Sequence, residues 1–407
     1  MRTDKYGNSQ YPRIRKVFRL AVYSRILTLL LGAIFDSAIE DYDRTGHLEI
    51  PSSNMIGVLY GFAKWDGVYF LRIAQFSYEH EQMHAFFPGY PFLIRWLTYF
   101  FGQDSYESYV LSGLLISNIC FIAAAIYLYK LSSLVLNEQQ AFVSSVLFCF
   151  SACSVFMSAV YSESLIAFLT FFGWYQILKN NRFIACLIFA LAATVKSTAT
   201  FLLAALFPLM FRSNGVDLKG SLYFLFGTAG IFSVLHLYLT SSRNIYCSGK
   251  IPADWCKNEE TSIYSYVQRK FWNVGLFRYW KFKNIPFFIV VLPSFWIACQ
   301  GFLFPWLRKI HDNFKKTGIC KEFFLQQISD KQLGFAIHLS ACLLVTAFLA
   351  NVQIFTRLVS SSPAYFWAQA FIIDRYSGTW LLFGLATLHC IYFLVGILLF
   401  CNFLPWT

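Results

Sequence analysis

Charge is what this sequence has least of. Asp, Glu, Lys and Arg make up 13% of its 407 residues, against 57% hydrophobic and 20% aromatic. Soluble domains carry about 25% charged residues. That deficit excludes a single core facing water, because too little polar surface exists to cover so much apolar side chain. Acids are scarcer than bases, 21 against 33, for a formal net charge of +12. No basic run is dense enough for nucleic acid, which is therefore excluded as a partner. In a membrane protein Lys and Arg gather in cytoplasmic loops, and that accounts for the surplus.

Several motifs are missing as well. There is no Gly-rich phosphate loop and no Asp-x-Asp metal motif, so a nucleotide donor has no evident cradle. No Cys-x-x-Cys pair or His/Cys cluster has zinc-ligand spacing, and no metal site is expected. No internal repeat is evident. The usual cleavable signal peptide, Lys-Asp-Glu-Leu ending and prenylation motif are absent, so the first apolar run reads as a signal anchor.

Long hydrophobic runs are what the chain has instead. They predict an all-α polytopic membrane protein with about ten crossings, one multi-span domain over residues 1–407. Arg2, Lys5, Arg13, Arg15 and Lys16 place the start in the cytoplasm. The first span, near 17–36, carries Arg19 and Arg25; Arg19 can snorkel, but Arg25 lies deeper and needs a partner. A luminal loop, 37–108, follows. It opens acidic, with Asp36, Glu40, Asp41, Asp43 and Glu49 near its start, and spacing at 65–76 and 91–101 suits interfacial helices. Further runs cover 109–129, 139–162 and 164–178. The run 183–211 is interrupted by Lys196 alone and reads as two broken helices meeting there. A second large luminal loop spans 243–284, and a basic segment at 308–331 is cytoplasmic. Residues 364–373 are apolar but too short to cross, and 376–407 hold the last span. Alternation puts 37–108, 158–164, 243–284 and 351–378 on the luminal side. Most Cys sit in apolar runs as small core residues. Cys247 and Cys256 share one polar loop, and a disulfide or two free thiols both remain open.

The candidate chemistry centres on Lys64-Trp65-Asp66-Gly67 and on Ala85-Phe86-Phe87-Pro88-Gly89-Tyr90-Pro91. Asp66 is a lone carboxylate among aromatics, which would partly desolvate it and suit a general base accepting a sugar hydroxyl proton. The plainer alternative is a helix N-cap. Lys196, Arg357, Arg375 and Arg25 are cations able to hold a phosphate; each could equally be an interhelical tie. Ser360, Ser361 and Ser362 could donate to phosphate, or merely form a turn before Pro363. Glu163 could bind sugar hydroxyls, and His80 and His84 a sugar or phosphate. Trp65, Tyr69, Phe86, Phe87, Tyr90, Trp272 and Tyr279 suit stacking on sugar rings, though an aromatic belt at the lipid interface explains most of them. Cations and a carboxylate on one side match a phosphate-linked lipid donor, whose leaving group needs positive charge.

These motifs stand in a familiar order. Trp65-Asp66, the Phe-Phe-Pro-Gly turn, Ser158-Ala159-Val160-Tyr161-Ser162-Glu163-Ser164, Tyr264-Ser265-Tyr266-Val267-Gln268, Phe271-Trp272-Asn273-Val274-Gly275 and Thr356-Arg357 to Pro363 together resemble the PIG-V type GPI mannosyltransferases. The resemblance implies a GT-C glycosyltransferase fold in the endoplasmic reticulum membrane with a luminal active site. It implies transfer of the second, α-1,6-linked mannose from dolichol-phosphate-mannose to the GPI precursor, with inversion, no cofactor, and Asp66 as base. Trp65, His84, Phe87, Glu163, Lys196, Trp272, Asn273, Arg357 and Ser361 are the substrate-binding candidates. Residues Glu79 to His84 depart from the family pattern. Another lipid-donor glycosyltransferase, or a lipid-linked sugar flippase, is the alternative; a small accessory membrane subunit is left open.

Overall fold

The computed structural model describes residues 11–42, 57–102, 104–212, 215–248, 253–257, 262–317 and 330–404. Arg2, Lys5, Asp43 and Glu49 lie outside them.

The apolar runs form helices because they hold few residues that interrupt one, and polar side chains cap several starts. Helices α1 (Tyr11–Ala38), α2 (Asp66–Phe76), α3 (Gly89–Phe100) and α4 (Tyr106–Ser132) come first. Next are α5 (Glu138–Cys149), α6 (Ser154–Ser158), α7 (Glu163–Leu178), α8 (Arg182–Ala193), α9 (Leu203–Leu206) and α10 (Leu218–Cys247). The remainder are α11 (Ile263–Trp272), α12 (Ile285–Ala298), α13 (Phe304–Thr317), α14 (Lys331–Leu344), α15 (Phe355–Val359), α16 (Pro363–Arg375) and α17 (Trp380–Cys401). Ser105, Asn137, Ser262, Asp330 and Thr379 accept backbone N–H groups at the starts of α4, α5, α11, α14 and α17. The described strands are one short hairpin, β1 (Phe211–Arg212) on β2 (Gly215–Val216).

Among the described residues six helices are long and apolar enough to cross a membrane, and shorter apolar ones cover Glu163–Leu178, Arg182–Ala193 and Ser197–Met210. Leu222, Leu225, Phe232 and Leu237 are exposed along α10, the surface expected against lipid. The chain breaks at Lys196: α8 ends at Ala193 and a 3-10 turn begins at Ser197.

The bundle has two chemically different ends. At one, Arg13 pairs with Glu138 at 3.2 Å, Gln140 donates to Asp374 at 2.7 Å, and Lys309 pairs with Asp330 at 3.0 Å. At the other lie α2, the Lys196 break and the start of α7. The segment 351–378 was expected on one face, and the structure divides it. Arg357 is at the second end, whereas Asp374 and Arg375 reach the first. Helix α16 manages this with 13 residues because it is buried along most of its length. A helix sheathed by protein need not match the roughly 20 residues that a lipid-facing span requires. Helix α17 then runs back, and its last carbonyls meet Lys64 and Trp65.

Candidate active site

Four charged side chains, far apart in sequence, converge at the second end. Arg357, on α15, is the centre. Its Nη1 lies 3.0 Å from Asp66 Oδ2, and its Nε donates to Glu163 Oε1 at 2.8 Å. Lys196 Nζ donates to the same Glu163 oxygen at 3.0 Å. The guanidinium also lies over Phe156 and Tyr161, 5.0 and 5.1 Å from the ring centroids. Glu163 is fully buried, so two cations offset its desolvation. Asp66 begins α2, and its backbone N–H donates to the Tyr161 hydroxyl at 2.9 Å.

A cavity of about 600 Å³ opens over this cluster. Asp66, Lys196, Arg269 and Arg357 supply its charged side chains, and Phe86, Phe87 and Trp272 an aromatic wall. Tyr69 stacks on Phe86 at 4.9 Å behind that wall. Backbone ties hold the wall in place. Gly89 N–H donates to the Thr194 carbonyl at 2.7 Å, so the Phe-Phe-Pro-Gly turn is fastened to the chain just before Lys196. A Cβ at Gly89 would sit 2.5 Å from Thr194 Oγ1, which is why only glycine fits. Gly275 N–H donates to the Leu349 carbonyl at 2.9 Å and Phe277 N–H to the Phe348 carbonyl at 2.7 Å, anchoring the Trp-Asn-Val-Gly block likewise.

Of the residues singled out from sequence, Asp66, Phe86, Phe87, Lys196, Trp272 and Arg357 line the cavity, and Glu163 lies beneath it. Four others lie elsewhere and need correction. Trp65 Nε1 donates to the Phe400 carbonyl at 3.1 Å and its ring packs on Phe403, so it faces α17. His84 is buried against Tyr78 at 4.3 Å, with the Tyr238 hydroxyl donating to its carbonyl. Burial pushes this imidazole down from 6.5 to about 4, a packed neutral ring. Asn273 ends α11 in the left-handed conformation, φ 53°, a backbone stop suited to Asn. Ser361 Oγ donates to the Leu358 carbonyl at 3.1 Å, and Ser360 Oγ to the Arg357 carbonyl, so these hydroxyls finish α15.

The other phosphate candidates also lie away from the cavity. Arg375 is at the opposite end. Arg25 is buried, donating to the Ser154 and Cys149 carbonyls and to the hydroxyls of Ser154 and Ser158.

Tyr264, Ser265, Gln268 and Arg269 line the cavity and were not selected from sequence. The signal was present: Tyr264, Gln268 and Trp272 recur every four residues along α11, while Ile263 and Val267 turn into a small core with Trp255. Cys247 and Cys256 form a disulfide beside that core. Among the described residues no group of three His, Cys, Asp or Glu side chains is arranged to hold a metal ion.

Comparison with known proteins bears on this geometry. The family described as Mannosyltransferase (PIG-V) matches residues 14–407. The chain is 30% identical to the GPI alpha-1,6-mannosyltransferase 2 of Cricetulus griseus, over 97% of this chain and 99% of that one. It is 28% identical to the Homo sapiens protein of the same name, over 98% and 99%. The GPI mannosyltransferase 2 of Drosophila pseudoobscura is 27% identical, over 97% and 100%. Among solved structures, the Archaeoglobus fulgidus oligosaccharyltransferase AglB bound to an inhibitory peptide and a dolichol-phosphate is similar with a TM-score of 0.47 and 12% identity, over 93% of this chain and 55% of that one. With a family match and full-length relatives covering both the cavity wall and the four-charge cluster, the chain belongs to the PIG-V mannosyltransferase family.

Proposed function

We propose that this membrane protein transfers the second mannose, in α-1,6 linkage, from dolichol-phosphate-mannose to the GPI-anchor precursor. The observation that carries the reading is Asp66, held by Arg357 at the wall of a cavity with an aromatic opposite side. Phe86 and Trp272 suit stacking on sugar, and Gln268 and Tyr264 suit its hydroxyls. The acceptor hydroxyl oxygen attacks C1 of the donor mannose from the face opposite phosphate, which inverts that centre. Its proton passes to Asp66. The C1–oxygen bond to phosphate breaks, and the electron pair leaves with the phosphate. Lys196 and Arg269 offset the charge that develops there. The donor is already activated, so the proposal takes no cofactor.

The same reading places the site in the endoplasmic reticulum lumen. The Cys247–Cys256 disulfide lies at the site's end of the bundle, and an oxidising compartment favours such a bond. A flippase would gather its polar groups at the bilayer midplane, whereas these collect at one end.

The test is the lipid that accumulates in cells lacking this protein. A GPI precursor with a single mannose is expected, and its conversion by wild-type membranes supplied with dolichol-phosphate-mannose. Accumulation of a precursor without mannose, or with two, overturns the assignment.

A further inference from the structure

Lys64 is a buried charge that the reaction scheme above does not use. Its side chain is 1% exposed. Its ammonium donates to Asp36 Oδ1 at 2.5 Å, to Asp41 Oδ1 at 2.7 Å and to the Cys401 carbonyl. Three separate elements are thereby pinned to one atom: the end of α1, the chain just after it, and the C-terminus of α17. The last carbonyls of a helix have no partner within it and carry its negative dipole end, so a cation is well placed there.

The next residue repeats the arrangement. Trp65 Nε1 donates to the Phe400 carbonyl, and its ring packs on Phe403. Its backbone is at φ 58°, ψ −128°, a conformation that favours glycine. Gly67 N–H donates to the Lys64 carbonyl at 3.0 Å, closing a tight turn with Trp65 at its first corner and Asp66 at its second. A side-chain-bearing residue persists at such a corner only where its surroundings over-determine it. Here they do: both side chains before Asp66 are fastened to α17, and Tyr161 holds the Asp66 N–H.

We propose that Lys64, with Trp65, is a positioning residue for Asp66: the end of α17 holds the strained turn that aims the base at the cavity. This rests on Asp66 being the base. A carboxylate at the start of a helix has little of its own to set its position. Its Cα is located by the turn, and its oxygen by Arg357. Release of Lys64 leaves Arg357 to pull Asp66 toward Glu163 without opposition from the turn.

The test uses the full-length protein in membranes, with initial rates against dolichol-phosphate-mannose concentration, normalised to folded enzyme by thermal retention of monodispersity. Lys64→Gln is expected to lower kcat about a hundredfold, the effect of roughly an ångström of misplacement, with KM for the donor changed less than about threefold. Lys64→Arg, which keeps the charge and the reach, is expected to recover at least about a tenth of the wild-type kcat. A merely structural Lys64 would lower the amount of folded enzyme and leave kcat per folded molecule unchanged, and that result overturns the proposal. So does a rise in KM with kcat intact. Should Lys64→Gln not fold, Trp65→Gly carries the test: glycine accepts the backbone angle but releases α17, so kcat falls if the anchor positions the base, and wild-type kcat overturns the proposal. If Asp66→Asn itself retains full transfer, the base assignment has failed; if Asp66→Asn is inactive and Lys64→Gln has wild-type kcat, only the positioning role has failed.

Discussion

Arg25 and Arg357 are both guanidinium groups drawn inside a membrane protein, Arg25 fully buried and Arg357 half-buried at a cavity wall, and they sit in opposite kinds of surroundings. Arg25 is satisfied by neutral acceptors: two backbone carbonyls and the hydroxyls of Ser154 and Ser158, with Phe121 3.6 Å from its guanidinium carbon. It ties α1 to α5 and α6, away from the cavity that Arg357 lines. Arg357 is shared between two carboxylates, and one of them, Asp66, faces open space. Neutral partners meet a cation's hydrogen-bonding demand and fix it in place. Charged partners also leave a carboxylate turned toward the cavity, where Asp66 stands. The comparison separates a tie from a candidate reaction centre by the charge of the partners.

The largest expected effect is at Asp66. Asp66→Asn keeps the shape and one acceptor for Arg357 but removes the carboxylate proposed as proton acceptor, so mannose transfer in a membrane assay should fall about a thousandfold while folded protein is unchanged. Equal transfer by the variant would move the base elsewhere. Arg357→Lys keeps the charge but loses the fork that joins Asp66 to Glu163, and should lower kcat about tenfold. The corresponding Arg25→Lys should leave kcat per folded molecule as it was, and a fall in it would erase the distinction between the two sites.

Stability should order differently. Glu163→Ala leaves the half-buried Arg357 and Lys196 without their shared partner, a loss of about 3 kcal/mol, read as a lower melting temperature in detergent. Arg25→Met strands carbonyls and hydroxyls rather than charges, and should cost about 1–3 kcal/mol by the same measurement.

The smallest effect is at His84. Its folded value, about 4, lies below the ordinary 6.5, so the unfolded chain binds the extra proton first. Its contribution is fully present above about pH 6.5 and is lost as pH falls toward 4. Protection factors in residues 78–87, taken against the intrinsic exchange rate at each pH, should therefore fall across that window, and His84→Gln should flatten the fall.

Much of the fold was legible in the sequence because it is written in local composition. The apolar runs mark the helices, and the lone Lys196 in 183–211 marks the break that the structure places there. Asp66 stood out because a carboxylate among Trp65, Tyr69 and Phe70 is locally conspicuous. Residues that perform a backbone task were misread, since Asn273 capping α11 and Ser361 closing α15 use the same side chains that would bind a substrate. His84 and Trp65 were misread for another reason: their partners, Tyr238 and Phe400, are distant in the chain.

By itself the sequence determined that this protein is helical, membrane-embedded and basic, with its unusual polar groups confined to a few stretches. Hydrophobic runs and their interruptions are local properties, and the bilayer leaves them few structural solutions. Only the tertiary structure decided that Arg357 bridges Asp66 and Glu163, that Arg375 lies at the other end, and that α17 returns to hold the Lys64–Trp65 turn. Each of those depends on which elements pack side by side, and a buried charge takes its meaning from the partner that burial gives it.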